Sequence, residues 1–279
     1  MRQRLTCLLL LLASCCPLAL SQDTADAQRQ LVNAQIARFP LDANASSRVF
    51  FVGFAGYGEE RVFAEEIKLA ARRVGEIYGS AARSVLLIND RRDLKTYPLA
   101  SVSSLRYTLK SLGAVMNRDD DVLFLALSSH GSRDATIEVS NEGMTAQTLS
   151  AQTLAELLAD SGIRWKVIVV SACFSGTFIK PLADDHTIVI TAAAKNRSSF
   201  GCSDTRELTY FGEAFYRDSL PGAIDLRSAF EAAREDIRQR EKDEGFKPSK
   251  PQAHFGELME AKLRVIEQVR APVRRNPVD

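Results

Sequence analysis

The chain is 279 residues long and 46% of its residues are hydrophobic, so it can bury a sizeable core. Lysine and arginine number 36 against 35 aspartates and glutamates, which leaves a formal net charge of +1. This balance creates no overall field toward nucleic acid or an acidic membrane surface, and it argues against a nucleic-acid-binding protein.

The N-terminus carries the pattern of an export signal. The basic stretch "MRQR" precedes "LTCLLLLLAS", which is apolar but too short to span a bilayer, and small residues follow. We therefore expect residues 1–21 to direct export, to the periplasm in a bacterium. The stretch "LASC", ending at Cys15, resembles the lipobox of bacterial lipoproteins, whose cysteine carries a membrane-tethering lipid. Ordinary cleavage after Ser21, with Cys15 and Cys16 as incidental small residues, is the alternative.

The cysteines do not form a disulfide scaffold. Three of the five, Cys7, Cys15 and Cys16, lie in the leader. The exported part keeps Cys173 and Cys202, and a single bridge between these two stays open as a structural alternative.

Beyond the leader, residues 22–47 are polar with little periodicity, and we interpret them as a tether or short helix. The folded domain is predicted to span 48–267, followed by a tail over 268–279. Within the domain, apolar runs alternate with stripes of apolar residues at helical spacing. Strands are predicted at 48–58, 84–90, 121–129, 166–172, 187–194 and 250–258. Helices are predicted around 63–77, 105–116, 154–158, 208–217 and 226–237.

Most of these strands are apolar throughout and do not alternate with polar residues. Such strands occur where helices cover both faces of a sheet. The sequence therefore predicts an α/β fold of three layers, with a mainly parallel central sheet.

Reactive side chains follow two of the predicted strands. The stretch "LFLALSSHGS" delivers His130 and Gly131, and "VIVVSACFSG" delivers Cys173. In an open α/β sheet, ligands bind beyond the carboxyl ends of the strands, so an imidazole and a thiol meet there if the strands are neighbours. A thiol beside a general base or acid is the arrangement for nucleophilic catalysis.

The other two histidines are poorly placed for this role. His186 opens its strand, which puts it at the opposite edge of a parallel sheet, and His254 lies within the last predicted strand. The structural alternatives are that Cys173 is a small buried hydrophobic residue and that His130 is a loop histidine bonded to the main chain. The glycine after His130 favours catalysis, because main-chain amides of Gly131 and Cys173 can approach a developing oxyanion.

These motifs resemble those of the caspase-like cysteine peptidases, and most closely the legumain-type asparaginyl endopeptidases of peptidase family C13. The residues that carry the resemblance are "LSSHGS", "SACFSG", "ITAAAKNRSSFGC" (190–202) and "TYFGEAFY" (209–216). The resemblance implies a caspase-like fold and a catalytic dyad of His130 and Cys173, with Gly131 as an oxyanion donor. It also implies a pocket for the residue before the scissile bond (P1) formed by Arg61, Ser198 with neighbouring Ser199, and Glu213.

Two positions depart from the family pattern. Legumains place a glutamate two residues before the nucleophile, where this sequence has Ser171, and an asparagine in the first loop, where it has Ala55. Ser171 is therefore counted among the candidate substrate-binding residues. Arg61 and Glu213 are expected to face each other in the pocket and to bind an amide side chain. The structural alternative for Arg61 is a solvated arginine in the first helical turn. For Glu213 it is a glutamate that interacts with a helix dipole.

The resulting hypothesis is a cysteine endopeptidase that needs neither a cofactor nor a metal and cleaves peptides or proteins after Asn or Asp. Two further functions stay open, which are a non-catalytic binding or scaffold module of the same fold and a peptide transpeptidase or ligase using the same site. An α/β-hydrolase does not fit, because "SACFS" lacks the flanking glycines and His130 precedes the nucleophile in the chain.

Overall fold

A computed structural model of the protein describes residues 17–40, 47–93, 96–141, 145–203 and 205–275. The strands are β1 (Val49–Ala55), β2 (Ser84–Ile88), β3 (Val122–Ser128), β4 (Thr136–Val139), β5 (Gln147–Ser150), β6 (Trp165–Ser171), β7 (Thr187–Thr191) and β8 (Gln252–Phe255). The helices are α1 (Pro17–Ile36), α2 (Arg61–Tyr78), α3 (Val102–Val115), α4 (Ala151–Ser161), α5 (Ile179–Leu182), α6 (Tyr210–Gly212), α7 (Leu226–Asp243) and α8 (Glu257–Arg275). A π-helix over Glu213–Ser219 continues α6.

Helix α2 shows how the sequence pattern produces the observed elements. Phe63, Ile67 and Val74 recur at helical spacing, and all three are buried. The helix ends at Gly79, whose left-handed φ of 67° costs glycine little because it has no Cβ.

Six strands form the central sheet, in the order β2-β1-β3-β6-β7-β8. The first five are parallel, and β8 runs antiparallel to β7 at one edge. Strands β1, β3 and β7 are buried along their whole length, because helices cover both faces. The predicted three-layer, mainly parallel architecture of the caspase-like type is confirmed.

Each face of the sheet has its own apolar core. Phe51, Phe124 and Val167 point to the face covered by α2, α7 and α8. The residues next to them along the strands, such as Phe50 and Leu123, point to the face covered by α1, α3 and α4. No helix in the described residues combines the length and the apolarity needed to cross a bilayer.

Helix α1 occupies part of the segment that we interpreted as a tether or short helix. It lies against the domain, since Val32 is fully buried and Gln35 exchanges hydrogen bonds of 2.9 and 3.2 Å with the main chain of Leu86. At the other end, α8 extends to Arg275, into the predicted tail. Cys15 and most of the predicted export signal lie outside the described residues.

An antiparallel hairpin of β4 and β5 was not predicted from the sequence. Its strands have four residues each, too few to give a recognisable pattern. The hairpin packs beside the loop after β3, where the amide of Glu138 donates to the carbonyl of His130 at 2.9 Å. It therefore forms one wall of the sheet edge that carries His130.

Candidate active site

The register of the sheet places His130 and Cys173 at the same level. Strands β3 and β6 are parallel neighbours, and Ser128 is paired with Ser171. His130 and Cys173 each follow their paired serine by two residues, so both lie just beyond the carboxyl ends of adjacent strands. This is the neighbourhood that the sequence predicted for the imidazole and the thiol.

The main chain of Gly131 lies directly against that of Cys173. A Cβ at position 131 would overlap the carbonyl oxygen of Cys173, so the close approach requires glycine. Within the described residues, the amides of Gly131 and Cys173 donate no hydrogen bond to other groups of the chain. Two amides are therefore available together at this edge.

The sulfur of Cys173 faces the loop after β7. The amide of Ser199 donates to Sγ at 3.3 Å, and Sγ donates to the carbonyl of Ser199 at 3.6 Å. The next residue, Phe174, has a left-handed φ of 57°, and its amide donates to the carbonyl of Arg197 at 2.8 Å. These bonds fix the position of the thiol beyond the carboxyl end of β6.

Aromatic side chains and one carboxylate fix the ring of His130. The ring packs edge-on against Tyr57 and Phe63, with centroid distances of 4.7 and 5.0 Å. Its Nε2 lies 3.2 Å from Oε2 of Glu60, the residue that precedes α2. This carboxylate oxygen is buried, and within the described residues it accepts no hydrogen bond, so its approach to Nε2 is a close contact without hydrogen-bond geometry. The ring thus presents Nε2 to an acid and leaves Nδ1 for other partners.

The second cysteine of the domain is a different kind of thiol. Both Cys173 and Cys202 are free, so the structure has no bridge between them. Burial raises the pKa of Cys202 well above its ordinary value, and the nearby groups Cys173, Glu66 and Glu60 raise it further. Cys202 therefore stays protonated, which makes Cys173 the better nucleophile of the two.

A family model described as the Peptidase C13 family matches residues 104–261, more than half of the chain. The chain belongs to the Peptidase C13 family. Membership implies a cysteine-type peptidase that acts on peptides or proteins. A search of curated proteins found no match. The matched range contains His130, Gly131 and Cys173, whereas Glu60 and Arg61 precede it.

The position where legumain-type members of the family carry an acid is occupied here by Ser171, and a different acid lies behind it. Glu66 of α2 is fully buried, and Thr209 donates to its Oε2 at 2.5 Å. Burial raises the pKa of Glu66 to about 7, although the hydrogen bond from Thr209 acts in the opposite direction. Ser171 Oγ lies 3.4 Å from Thr209 Oγ1, so Thr209 links Ser171 to the Glu66 carboxyl group.

The two charged residues expected to read the P1 side chain have other partners in this C13 peptidase. Nε of Arg61 lies 3.3 Å from Oε1 of Glu65, and the Arg61 side chain is 59% exposed. Glu213 forms ion pairs with three arginines, Arg206, Arg217 and Arg240. Partial burial opposes its ionisation, but Arg240 and Arg217 hold the pKa of Glu213 below its ordinary value.

Among the observed contacts, Arg61 pairs with Glu65 and Glu213 pairs with arginines, and the expected pairing of Arg61 with Glu213 is not among them. Ser198 is exposed in the loop that holds the sulfur, and Ser199 bonds to Cys173. Among the described residues, no group of histidines, cysteines and carboxylates has the arrangement of metal ligands.

Glu60 and Glu66 were not predicted from the sequence, although the sequence position of each could have indicated it. Glu60 immediately precedes the helix that begins at Arg61, in the same loop that was searched for pocket residues. Glu66 lies on the apolar side of α2, three residues after Phe63, where a charged residue is unexpected.

Proposed function

We propose that this C13 peptidase is a cysteine endopeptidase in which Cys173 is the nucleophile and His130 the general acid and base. The observation that carries the proposal is the paired register of β3 and β6, which brings both residues to one sheet edge beside two uncommitted amides. A thiol, an imidazole and an oxyanion site are the three parts that acyl transfer through a thioester requires.

The reaction follows from this geometry. The Cys173 thiolate attacks the peptide carbonyl, and the amides of Gly131 and Cys173 bind the resulting oxyanion. His130 then protonates the leaving amine, which departs with the C-terminal part of the substrate. Water attacks the thioester, gives up a proton to His130 and releases the acid. An amine in place of water gives transpeptidation, the second activity that the same site allows.

Glu60 has the position of an orienting group for His130. With Nε2 held toward the carboxylate, Nδ1 is the nitrogen left for the thiol and the leaving amine. The negative charge also stabilises the imidazolium that forms during the reaction. We therefore place Glu60 beside the dyad as a positioning residue.

For the bond that is cleaved, we propose a position after Asn or Asp. Both side chains carry an oxygen that the exposed guanidinium of Arg61 and the hydroxyl of Ser198 can bind. Because Glu213 is already paired with three arginines, it is a weak partner for the amide nitrogen of Asn. Asp should therefore be accepted alongside Asn.

The N-terminal leader has the pattern of an export signal. We propose that the protein is exported to the periplasm, with Cys15 as the site of a lipid anchor. The pattern "LASC" within the apolar leader supports this proposal.

The deciding experiment uses activity-based probes. The purified protein is reduced and treated with acyloxymethyl-ketone probes that differ only in the P1 residue, alongside Cys173→Ala and His130→Ala. We expect labelling with P1 Asn and Asp that disappears in Cys173→Ala. No labelling of the reduced wild type with any P1 residue would contradict the proposal and favour the non-catalytic binding module.

A further inference from the structure

A cavity adjoins the candidate dyad on the side of His130. It has a volume of about 450 Å³ and lies between the loop after β3 and the β4–β5 hairpin. His130, Gly131 and Ser132 line it from the loop, and Glu138 and Thr148 line it from the hairpin. The His130 side chain therefore forms part of the cavity lining.

The framework of this cavity is hydrogen-bonded. The amide of Glu138 donates to the carbonyl of His130, and the amide of Ser132 donates to the carbonyl of Thr136, each at 2.9 Å. The loop that carries His130 therefore continues into the hairpin as a short ladder. A wall of this kind is preformed, which lowers the entropic cost of binding an extended peptide.

The position of the cavity relates it to one half of the substrate. Among the described residues that line it are His130 and Gly131 but not Cys173. After attack, the acyl half stays on Cys173 while the amine half takes its proton from His130. The chain that follows the scissile bond therefore leaves along the side of His130, where the cavity lies.

One carboxylate lines the cavity, and the arginine of the loop after β3, Arg133, holds its guanidinium over the Phe174 ring, 4.8 Å from the centroid. Glu138 is its only charged lining residue besides His130 among those described, and its Oε1 accepts from Ser140 Oγ at 3.3 Å. Burial raises the pKa of Tyr57, and the charges of Glu59, Glu138 and Glu60 raise it further. Since the Tyr57 ring packs against His130, these carboxylates surround the same region.

We propose that this cavity binds the first residues after the scissile bond and favours a lysine or arginine there. The inference rests on the proposed function and specifies its substrate class, peptides with a basic residue on the C-terminal side of the cleaved bond. The Glu138 carboxylate attracts the cationic side chain, and the hydroxyls of Ser132 and Thr148 bind the main chain or the ammonium group.

The test separates the two halves of the substrate. Internally quenched peptides share one sequence before the scissile bond and carry Lys, Leu or Glu directly after it. An aminocoumarin substrate with the same first half has no residue after the bond. The full chain is compared with Glu138→Gln, with Glu156→Gln as the matched control on α4, and with Cys173→Ala. Each peptide rate is divided by the aminocoumarin rate of the same variant.

We expect wild type to prefer Lys over Glu about fivefold in kcat/KM, and Glu138→Gln to remove most of this ratio while Glu156→Gln keeps it. An unchanged ratio in Glu138→Gln, or a wild-type preference for Leu or Glu, would overturn the inference. Failure of the proposed function has a different signature. In that case wild type cleaves neither substrate type, or cleavage persists in Cys173→Ala.

Discussion

The carboxyl ends and the amino ends of the strands, called here the carboxyl edge and the amino edge of the central sheet, each carry a histidine and a cavity. The two edges differ in what surrounds the histidine. At the carboxyl ends of the strands, His130 faces the Glu60 carboxylate beside a cavity of about 450 Å³. At the amino ends, Nε2 of His186 lies 2.9 Å from the guanidinium of Arg164, beside a larger cavity of about 550 Å³. The larger cavity therefore lies at the ends of the strands opposite the candidate dyad.

The physical difference lies in charge and in uncommitted amides. The His186 ring contacts a guanidinium, whereas the His130 ring contacts a carboxylate. Polar groups at the amino edge are also occupied, since Lys166 donates to the carbonyl of Arg164 at 2.8 Å. At the carboxyl edge the amides of Gly131 and Cys173 are uncommitted within the described residues. Among the described residues, the carboxyl edge is where a histidine and two uncommitted amides lie together.

The strongest test of this contrast exchanges each histidine for alanine. His130→Ala should lower kcat/KM on an aminocoumarin peptide by at least about 100-fold, because the leaving amine loses its proton donor. His186→Ala, at the other edge, should stay within about twofold of wild type. Similar losses in both variants would mean that the two edges do not differ in function.

The second test adds a methyl group to the proposed oxyanion site. Gly131→Ala places a Cβ against the carbonyl of Cys173 and displaces the amide, so kcat should fall on the order of 100-fold. Gly222→Ala is the matched control, since a Cβ there meets no atom within 4 Å. Melting temperatures of both variants separate the loss of activity from unfolding. Normal kcat in a folded Gly131→Ala would exclude this amide as an oxyanion donor.

The third test sharpens the role of the carboxylate beside His130. Glu60→Gln should lower kcat about tenfold with little change in KM, because it removes the charge that orients the ring and stabilises the imidazolium. Glu59→Gln is the control, since this neighbouring carboxylate accepts from the Tyr57 hydroxyl at 3.3 Å instead. A change in KM alone would instead assign Glu60 to substrate binding.

The smallest effect concerns stability beneath the carboxyl edge. The pKa of Glu66 rises from 4.5 to about 7 on burial, so folding takes up a proton between these values. The free energy of unfolding should therefore fall as the pH rises from about 4.5 to about 7, and stay constant above that.

Glu66→Gln should remove this dependence and stabilise the chain at pH 8 by up to about 3 kcal/mol. Urea denaturation at pH 5 and pH 8 measures the effect. A wild-type curve with the same midpoint at both values would show that Glu66 is charged throughout.

Much of the architecture was predictable because it depends on local pattern. Continuous apolar runs gave strands β1, β3, β6 and β7, and apolar residues at helical spacing gave α2, α3, α4 and α7. The hairpin of β4 and β5 was not predictable in this way. Its strands are too short for a periodic signal, and they are stabilised by pairing with each other and with the loop after β3.

By itself, the sequence determined the fold class and predicted the three residues of the candidate site, since His130, Gly131 and Cys173 each follow an apolar strand within a short motif. Only the tertiary structure decided which carboxylates act beside them. Glu60 is 70 residues from His130, and Glu66 is 143 residues from Thr209. Their partners are set by how α2 packs on the sheet, and such long-range contacts depend on three-dimensional packing and have no local sequence pattern.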